Sequence, residues 1–581
     1  MTKRNFIFTL AILASSAMMG QGLHKEITVE QEIVPLKRDA SRITVLPTVS
    51  LPAITPARLS FSDRVVTTQV PNTITTLEPV AYGDNLYSSP YRGYVALGLG
   101  APLFNADFSA GYRILDTDKT RLSVWGQFNS DLYTQKVNVV GEDSPLKLYH
   151  RDLTATLGAD LHQAIGKTSF LDASVDYTYG HNNIPYGADT YSRSLNKVNA
   201  TAAFNSRHEG LMYSAQLKYQ HFGYCNLQPE NHLYTDVADY TLSPAKQNLV
   251  GVRLQGLLPV GEPSYFGLDL NADFLHTSAH AVTTFPHSDY IPAGSSTTGL
   301  VTLTPHYLFR NQTFTAKIGV DVDITVNDGK VFHISPDVLL AWTPSQVFGV
   351  EVRADGGSRL NTLASLYDVT PYSNASVAYT QSHIPYNIDG KITIGPFYGA
   401  YIDLFGGYAK ANDWLMPVAT YGFFPGGQVF EPADISGWHA GAAIGYDYRK
   451  ILSARVSYET ASNDRDRCYY QWRDRARHVV NAELKVRPIT PLLITLNWEF
   501  RAGRRMFGYT EYPVQGNITT FETYATRLGT VSTLNLSAGY SVTEALTVFI
   551  NGENLLNRRY THLGDRYSQG ITAMIGAALK F

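Results

Sequence analysis

The chain has 581 residues with 47 basic and 50 acidic side chains, which gives a formal net charge of −3. This balance excludes a strongly basic nucleic-acid-binding protein and an acidic disordered tail. Only 17% of the residues are charged, 12% are aromatic and 46 are glycine, a composition typical of strands and turns. Two cysteines are too few for a disulfide scaffold or a cysteine-rich metal site. We therefore expect an all-β fold held together by strand pairing.

Residues 1–22 are typical of an export signal. Lys3 and Arg4 precede a short apolar run, residues 6–14, which leads into the small residues Ser15, Ser16 and Ala17. We predict a signal peptide over 1–22, so that the mature protein starts outside the cytoplasm. A buried or anchoring helix is the alternative interpretation of this segment.

Residues 23–90 differ in composition from the rest of the chain. They contain seven prolines among many Val and Thr residues and show no helical period. Proline removes a ladder donor and fixes φ, so we expect an extended, partly paired leader rather than a compact domain.

From residue 91 to the end, apolar and polar residues alternate with a period of two. The clearest examples are residues 171–179 and 314–326, and the second run is long for a globular strand. About 22 such segments lie between turn signals. On the strand over 314–326 we expect Ile318 and Val320 to face lipid and Asp321 to face a wet lumen.

The connections between these segments alternate in length. Short turns are predicted at 116–119, 166–168, 208–210, 261–263, 343–346 and 543–545. Long connections are predicted at 138–147, 225–239, 277–298, 361–387, 411–436, 460–475 and 504–529. Short turns on one rim and long loops on the other are typical of a transmembrane antiparallel up-and-down β-barrel. The last strand ends on Phe581 on its apolar side, which agrees with this fold, and a soluble all-β secreted protein is the alternative.

Residues near the C-terminus resemble a known family. The stretch 534–540, followed by 546–549 and by 552–560 with its run ENLLNRRY, resembles the closing strands of TonB-dependent outer-membrane receptors. Residues 486–488, 493–496 and 500–504 are similar to the strand pairs just upstream. The resemblance covers about the last hundred residues and implies a 22-stranded barrel in the outer membrane of a Gram-negative bacterium.

One departure from that family concerns the N-terminal region. TonB-dependent receptors carry a folded plug domain and an energy-coupling box, whereas residues 23–90 contain no plug motif. In this respect the chain resembles the plugless, receptor-like barrels of the Bacteroidota. Because a wide barrel without a filling is an aqueous hole, we expect the leader, the loops or a partner protein to fill it.

No motif indicates an enzyme, a cofactor or a metal site. The sequence Gly166-Lys167-Thr168 imitates a phosphate-binding loop, but Leu161 stands where the first glycine is needed. Asp321 and Asp323 are interpreted as part of a hydrated lumen wall rather than as an acid–base pair. The histidines His276, His280 and His287 are too irregularly spaced to predict a metal site.

Binding residues are expected in the long loops, because loops on a rigid scaffold often carry recognition. Aromatic side chains with Arg can stack on sugars or anchor a protein partner. The candidates are Trp414, Tyr421, Phe423, Phe424, Arg465, Tyr469, Tyr470 and Trp472. The alternative is that these loops pack on themselves or at the membrane rim. Cys225 and Cys468 fall in loops on the same side, and both a disulfide and separate thiols remain open.

Two functions are compatible with these predictions. The first is a receptor or transporter that binds or passes an unknown solute through the outer membrane. The second is a non-transporting scaffold subunit of an envelope complex. The expected partners are outer-membrane lipid and either a surface lipoprotein or envelope-complex subunits, without nucleic acid.

Overall fold

The computed structural model describes the barrel and parts of its connections. The described residues are 91–137, 145–186, 189–208, 210–224, 228–229, 245–261, 263–279, 294–327, 329–369, 381–420, 428–462, 476–514, 518–560 and 568–581. The predicted signal peptide and leader lie outside these residues and remain predictions. So do Cys225 and Cys468.

The described residues form 25 strands and one helix. The strands are β1 (Gly93–Ala101), β2 (Asn105–Asp116), β3 (Thr120–Val137), β4 (Leu146–Ile165), β5 (Ser169–Tyr186), β6 (Asp189–His208), β7 (Leu211–Tyr224), β8 (Gln228–Pro229), β9 (Ala245–Gly261), β10 (Ser264–Ala279), β11 (Gly294–Arg310), β12 (Phe314–Val326), β13 (Phe332–Ser345), β14 (Phe348–Arg359), β15 (Ser382–Phe397), β16 (Ala400–Thr420), β17 (Gln428–Tyr448), β18 (Leu452–Ala461), β19 (His478–Ile489), β20 (Leu492–Ala502), β21 (Arg505–Val514), β22 (Ile518–Arg527), β23 (Val531–Ser541), β24 (Leu546–Glu553) and β25 (Thr572–Lys580). The helix is α1 (Leu363–Val369).

Twenty-two of the strands form a closed antiparallel barrel, as the sequence predicted. Each barrel strand pairs with the next along the chain, and β25 closes the ring on β1 from Tyr94–Lys580 to Ala101–Ala573. The strands β8, β21 and β22 are additions, since β20 pairs directly with β23. Of these, β21 and β22 form a hairpin beyond the wall. Among the described residues, no helix is long and apolar enough to cross a membrane.

The two rims of the barrel differ as predicted. The ten connections on one rim, beginning with 117–119 between β2 and β3, have two to four residues each. The opposite rim carries the long connections, of which 503–530 has 28 residues. In barrels of this type the short turns face the periplasm and the long loops face the outside. We use the terms periplasmic rim and extracellular rim in this sense.

The outer surface carries aromatic side chains at two levels. Exposed rings near the periplasmic rim are those of Tyr112, Tyr213, Phe266, Tyr307, Trp342 and Tyr446. A second level is formed by Tyr177, Tyr179, Tyr219, Phe274, Tyr408 and Trp438. On β10, Phe266 and Phe274 are eight residues apart, which is about 20 Å along the barrel axis after allowing for strand tilt. Two such belts around an apolar band are the pattern of a membrane-spanning barrel.

Several of the predicted long loops contain regular structure and are shorter than expected. The predicted loop 411–436 is mostly the paired ends of β16 and β17. The predicted loop 504–529 is the hairpin β21–β22, and 361–387 contains α1 and the start of β15. These elements were not predicted because strands that continue beyond the membrane no longer need an apolar outer face. The alternation of apolar and polar residues is therefore lost there, although the strands remain paired.

Candidate functional site

The inner wall of the barrel is polar and contains a cavity of about 530 Å³ on strands β7 and β9–β13. Its lining is formed by Gln216, Lys218, Gly251, Arg253, Asp269, Asn271, Asp273, Thr302, Thr304, Lys317, Asp321 and Asp337. Both signs of charge are present, and no apolar side chain contributes. The cavity is therefore suited to a hydrated or strongly hydrogen-bonding ligand.

The lining of this cavity is held in place by cross-strand pairs. Lys218 Nζ lies 3.1 Å from Asp273 Oδ1, and Lys317 forms an ion pair with Asp337. The Thr304 hydroxyl donates to Asp321. Because these charged groups are tied to other strands of the wall, they are presented in fixed positions.

On β12, every second residue contributes a polar side chain to this inner wall. Asp323 is fully buried and accepts hydrogen bonds from the Thr302 hydroxyl and the Ser358 backbone N–H, both at 2.6 Å. The expected lumen orientation of Asp321 and Asp323 is thus present, with both carboxylates bonded to threonines of β11. Ile318, on the other face, is 55% exposed. An acid–base pair would need carboxylates that share a proton or substrate, and these two are engaged separately with the wall.

The helix α1 lies in the connection between β14 and β15 and begins at a local cap. The Thr362 hydroxyl accepts from the Ser365 N–H at 3.0 Å, and the Ser365 hydroxyl accepts from the Thr362 N–H at 3.0 Å. This is the capping arrangement that satisfies free donors in the first turn. Leu366 and Tyr367 follow Leu363 by three and four residues, so that the helix can bury apolar contacts.

One side of α1 packs on the inner wall formed by β6, β7 and β9. Leu363 and Ala364 join Leu195, Phe222 and Tyr224 in one buried cluster. The Tyr367 ring packs at 5.9 Å from Phe222 and 6.2 Å from Tyr224 between ring centroids. Because this contact area lies toward the extracellular ends of β7 and β9, two of the strands that line the cavity, α1 stands above the cavity on this wall.

A buried polar contact fixes the start of α1 to that wall. The Leu363 N–H donates to Gln247 Oε1 at 2.6 Å, and Gln247 Nε2 donates to the Thr277 hydroxyl at 2.9 Å. Gln247 is buried. The contact satisfies one of the helix's free N-terminal donors with a side chain from a strand more than a hundred positions away.

The other side of α1 reaches a different part of the barrel. Leu366 forms a buried cluster with Leu415 of β16 and Phe430 of β17. The ends of the connection are also tied, since Asn361 donates to Ser382 at 2.9 Å and Ser382 donates to the Asp413 carbonyl at 2.8 Å. The helix therefore bridges two separated sectors of the wall at the extracellular mouth and narrows the entrance.

Only one of the predicted binding residues is described by the structure. Trp414 lies on β16 rather than in a loop, beside a buried cluster of Ala411 and Ile435, with the Arg359 guanidinium 5.7 Å from the ring centroid. Its present contacts are those of a packing residue. Tyr421, Phe423, Phe424, Arg465, Tyr469, Tyr470 and Trp472 lie outside the described residues, so their role stays a prediction.

Sequence reasoning missed α1 and its docking site. The signal available was the Thr362–Ser365 cap followed by Leu363, Leu366 and Tyr367 at helical spacing. The partners of the helix, Phe222 and Tyr224, give no such signal because they occupy ordinary lumen-facing positions on β7.

A metal centre is not formed by the described part of the chain, in which no group of three His, Cys, Asp or Glu residues could hold an ion. His276 lies on β10 and its Nδ1 is 2.9 Å from the Thr297 hydroxyl. His280 and His287 lie outside the described residues.

Comparison with solved structures gives the class of this barrel. The FrpB iron transporter from Neisseria meningitidis is similar with a TM-score of 0.61 and 12% identity, over 85% of this chain and 82% of that one. A ferric enterobactin receptor mutant from Pseudomonas aeruginosa gives 0.59 and 11%, over 84% and 80%. The siderophore receptor PirA from Acinetobacter baumannii gives 0.59 and 9%, over 84% and 80%.

At these identities the likeness shows the fold, which is the barrel of TonB-dependent outer-membrane receptors, as the sequence resemblance implied. No family profile and no curated protein sequence matches the chain.

Proposed function

We propose that this protein is a receptor or transporter of the Gram-negative outer membrane, which captures a solute at the extracellular mouth and passes it into the barrel. The observation that carries this proposal is the polar cavity on the lumen wall, which lies below the entrance that α1 narrows. A wall of paired charges lets a hydrated solute move without meeting apolar surface. A cavity below a narrowed entrance also gives that solute a place to reside.

The first solutes to test are ferric siderophores, because the structural neighbours are named as an iron transporter and siderophore receptors. The polar cavity agrees with a hydrophilic ligand of this kind. The proposal is therefore of a receptor for a hydrophilic solute, with iron chelates as the leading class.

The experiment is a growth and uptake comparison in the native host with the gene deleted and then restored. We expect uptake of at least one labelled solute to fall on deletion and to return with the wild-type chain. The lumen variant Lys218→Ala/Arg253→Ala should restore uptake only in part. Unchanged uptake of every solute, together with stable recovery of envelope-complex subunits with the tagged protein, would instead support the scaffold function.

A further inference from the structure

The polar cavity on the lumen wall contains two charged side chains that the wall does not neutralise. Arg253 of β9 and Asp269 of β10 both line it. Within the described residues, neither side chain forms a hydrogen bond or an ion pair. Arg253 lies directly opposite Asn271, so Asp269 is its diagonal neighbour on the next strand, and such neighbours lie about 7 to 8 Å apart. We call Arg253 and Asp269 the charged couple.

The other carboxylate diagonal to Arg253 is already engaged. This is Asp273, whose Oδ1 lies 3.1 Å from Lys218 Nζ and whose Oδ2 accepts from the Asn271 amide at 3.2 Å. The contact between Lys218 and Asp273 crosses β9 at Gly251, where an added Cβ would collide with Asp273 Oδ1. The missing side chain at position 251 therefore lets Lys218 take the carboxylate that would otherwise neutralise Arg253.

The groups beside Asp269 are engaged in the same way. Asp269 lies directly opposite Thr304, but the Thr304 hydroxyl donates its one proton to Asp321. Lys317, the lining cation of β12, forms an ion pair with Asp337. The wall thus pairs its other lining charges and leaves one cation and one anion, on neighbouring strands, to groups of a ligand.

The charged couple lies below the entrance that α1 narrows. Gln247, which accepts from the first residue of α1, precedes Arg253 by six residues on β9. This strand runs from the extracellular rim to the short turn at 262–263, and six residues span about 20 Å along it. A ligand bound by the couple would therefore lie inside the barrel, beyond the narrowed mouth.

We propose that the charged couple binds a ligand that carries a carboxylate and an ammonium group close together, as an α-amino acid does. The planar guanidinium of Arg253 can hold a carboxylate with two parallel hydrogen bonds, and the carboxylate of Asp269 accepts from an ammonium group. The cavity of about 530 Å³ has room for the rest of the ligand. This inference rests on the proposed function, since it names the ligand class of the same cavity.

The test measures binding of three compounds to the purified full chain by competition titration with saturation-transfer NMR. They are L-glutamine, its N-acetyl derivative, which lacks the ammonium group, and its methyl ester, which lacks the carboxylate. We expect L-glutamine to bind at least about tenfold more tightly than either derivative. Arg253→Gln should lose only the preference over the methyl ester, and Asp269→Asn only the preference over the N-acetyl compound. A general distortion of the cavity would weaken all three compounds together.

The matched controls are Arg353→Gln on β14 and Asp176→Asn on β5. Both positions lie on the inner wall outside the cavity, because their neighbours Val352, Val175 and Tyr177 are exposed on the outer face. We expect both control variants to keep all three affinities. Equal affinity of the three compounds for the wild type, a preference that survives in both cavity variants, or the same losses in the controls would overturn the proposal.

A further compound distinguishes a free amino acid from an amino-acid group on an iron chelate. L-Lysine acylated on its side-chain amine with dihydroxybenzoic acid carries the same head group, and its affinity is measured with and without Fe(III). Tighter binding with Fe(III) would identify the chelate as the ligand, and equal binding the free amino acid, and either result supports head-group recognition if blocking the head group weakens it.

Failure of this inference and failure of the proposed transport give different results. Uptake that is lost on gene deletion, without any head-group preference of the purified protein, would contradict the charged couple alone. The crossed loss of preference in the two cavity variants, without a change in uptake of any solute on deletion, would support the couple and contradict transport.

Discussion

At the scale of single residues, neighbouring positions on a strand meet opposite environments. On β12, Ile318 faces outward and is exposed, whereas Lys317 is paired with Asp337 in the lumen. The side chains of adjacent strand residues point to opposite faces, so one residue contacts lipid and the next contacts water. The effect of a substitution on the stability of the barrel should therefore depend on the face that the side chain occupies more than on its position along the strand.

Replacing Val322 by Arg tests this directly. Val322 lies opposite Leu303, midway between the two aromatic levels, so the change places a charge on the lipid face near the middle of the spanning segment and should destabilise the barrel by about 2 to 4 kcal/mol. Asp321→Arg is the control, because its side chain lies in the hydrated lumen among carboxylates, and should have a mild effect. The assembled fraction and the urea midpoint in lipid vesicles measure both. Equal losses would show that the faces are wrongly assigned.

A second residue-scale prediction concerns the pKa of the Tyr367 phenol on α1. Burial against the wall, and then the nearby Asp152 carboxylate, raise this pKa above its ordinary value. The docked helix therefore favours the neutral phenol. Stability of docking is fully present below the ordinary tyrosine pKa of about 10 and falls as the pH rises above it.

The measurement is the rate at which an alkaline serine protease cleaves between Arg359 and Lys391. We expect this rate to rise above about pH 10 in the wild type and to rise less in Tyr367→Phe, which keeps the ring contacts without the ionisable group. The same rise in both proteins would rule out Tyr367 as the cause.

At the scale of elements, α1 is a short helix whose position depends on tertiary contacts. Seven residues are too few for a stable isolated helix in water. Its stability comes from Leu363 and Leu366, which contact different sectors of the wall, and from the hydrogen bond to Gln247. The narrowing of the entrance therefore depends on a few buried side chains.

Leu363→Ala should release α1 from the wall. Leu363 is 0% exposed, and loss of a buried leucine side chain costs about 2 to 5 kcal/mol. We expect this cost to weaken the docking of α1 on the wall rather than the stability of the barrel. Hydrogen exchange of residues 361–369 should accelerate while the strand amides stay protected. Val369→Ala, at a position 51% exposed on the same helix, is the matched control and should change little.

At the scale of the whole molecule, the barrel depends on closure of its first strand on its last. The Arg92 and Gly93 N–H groups both donate to the Phe581 carbonyl, at 2.7 and 2.8 Å, and the Phe581 ring stacks on Tyr112. Small residues let the closing strands approach. A Cβ added at Gly576 would collide with the Leu97 carbonyl of β1 and with the Phe549 ring of β24.

Gly576→Ala should therefore impair closure, with a cost of about 1 to 3 kcal/mol for overpacking. Gly539→Ala is the control, since a Cβ there meets its nearest atom at 4.0 Å. The fraction of heat-modifiable, folded protein in native membranes measures the difference. If the two variants assemble equally well, close approach at the β24–β25–β1 junction is not what limits closure.

Much of the barrel could be predicted because a membrane strand has lipid on one face and water on the other, which requires apolar and polar residues at alternate positions. The runs 171–179 and 314–326 specified both faces, and the ENLLNRRY segment indicated the barrel fold of TonB-dependent receptors. The site was predicted less well. Trp414 was expected in a binding loop and lies on a paired strand among apolar neighbours. Where strands extend past the bilayer, water contacts both faces, so the pattern that marks a strand is lost.

The sequence by itself therefore determined the strand count, the two rims and the polar lumen, since each follows from local periodicity and turn chemistry. Only the tertiary structure decided which residues meet across the mouth. Leu363 contacts Gln247 from a distance of more than a hundred positions, and Leu366 meets Phe430 on another strand pair. Such contacts depend on the curvature and closure of the whole wall, which no short stretch of the chain encodes.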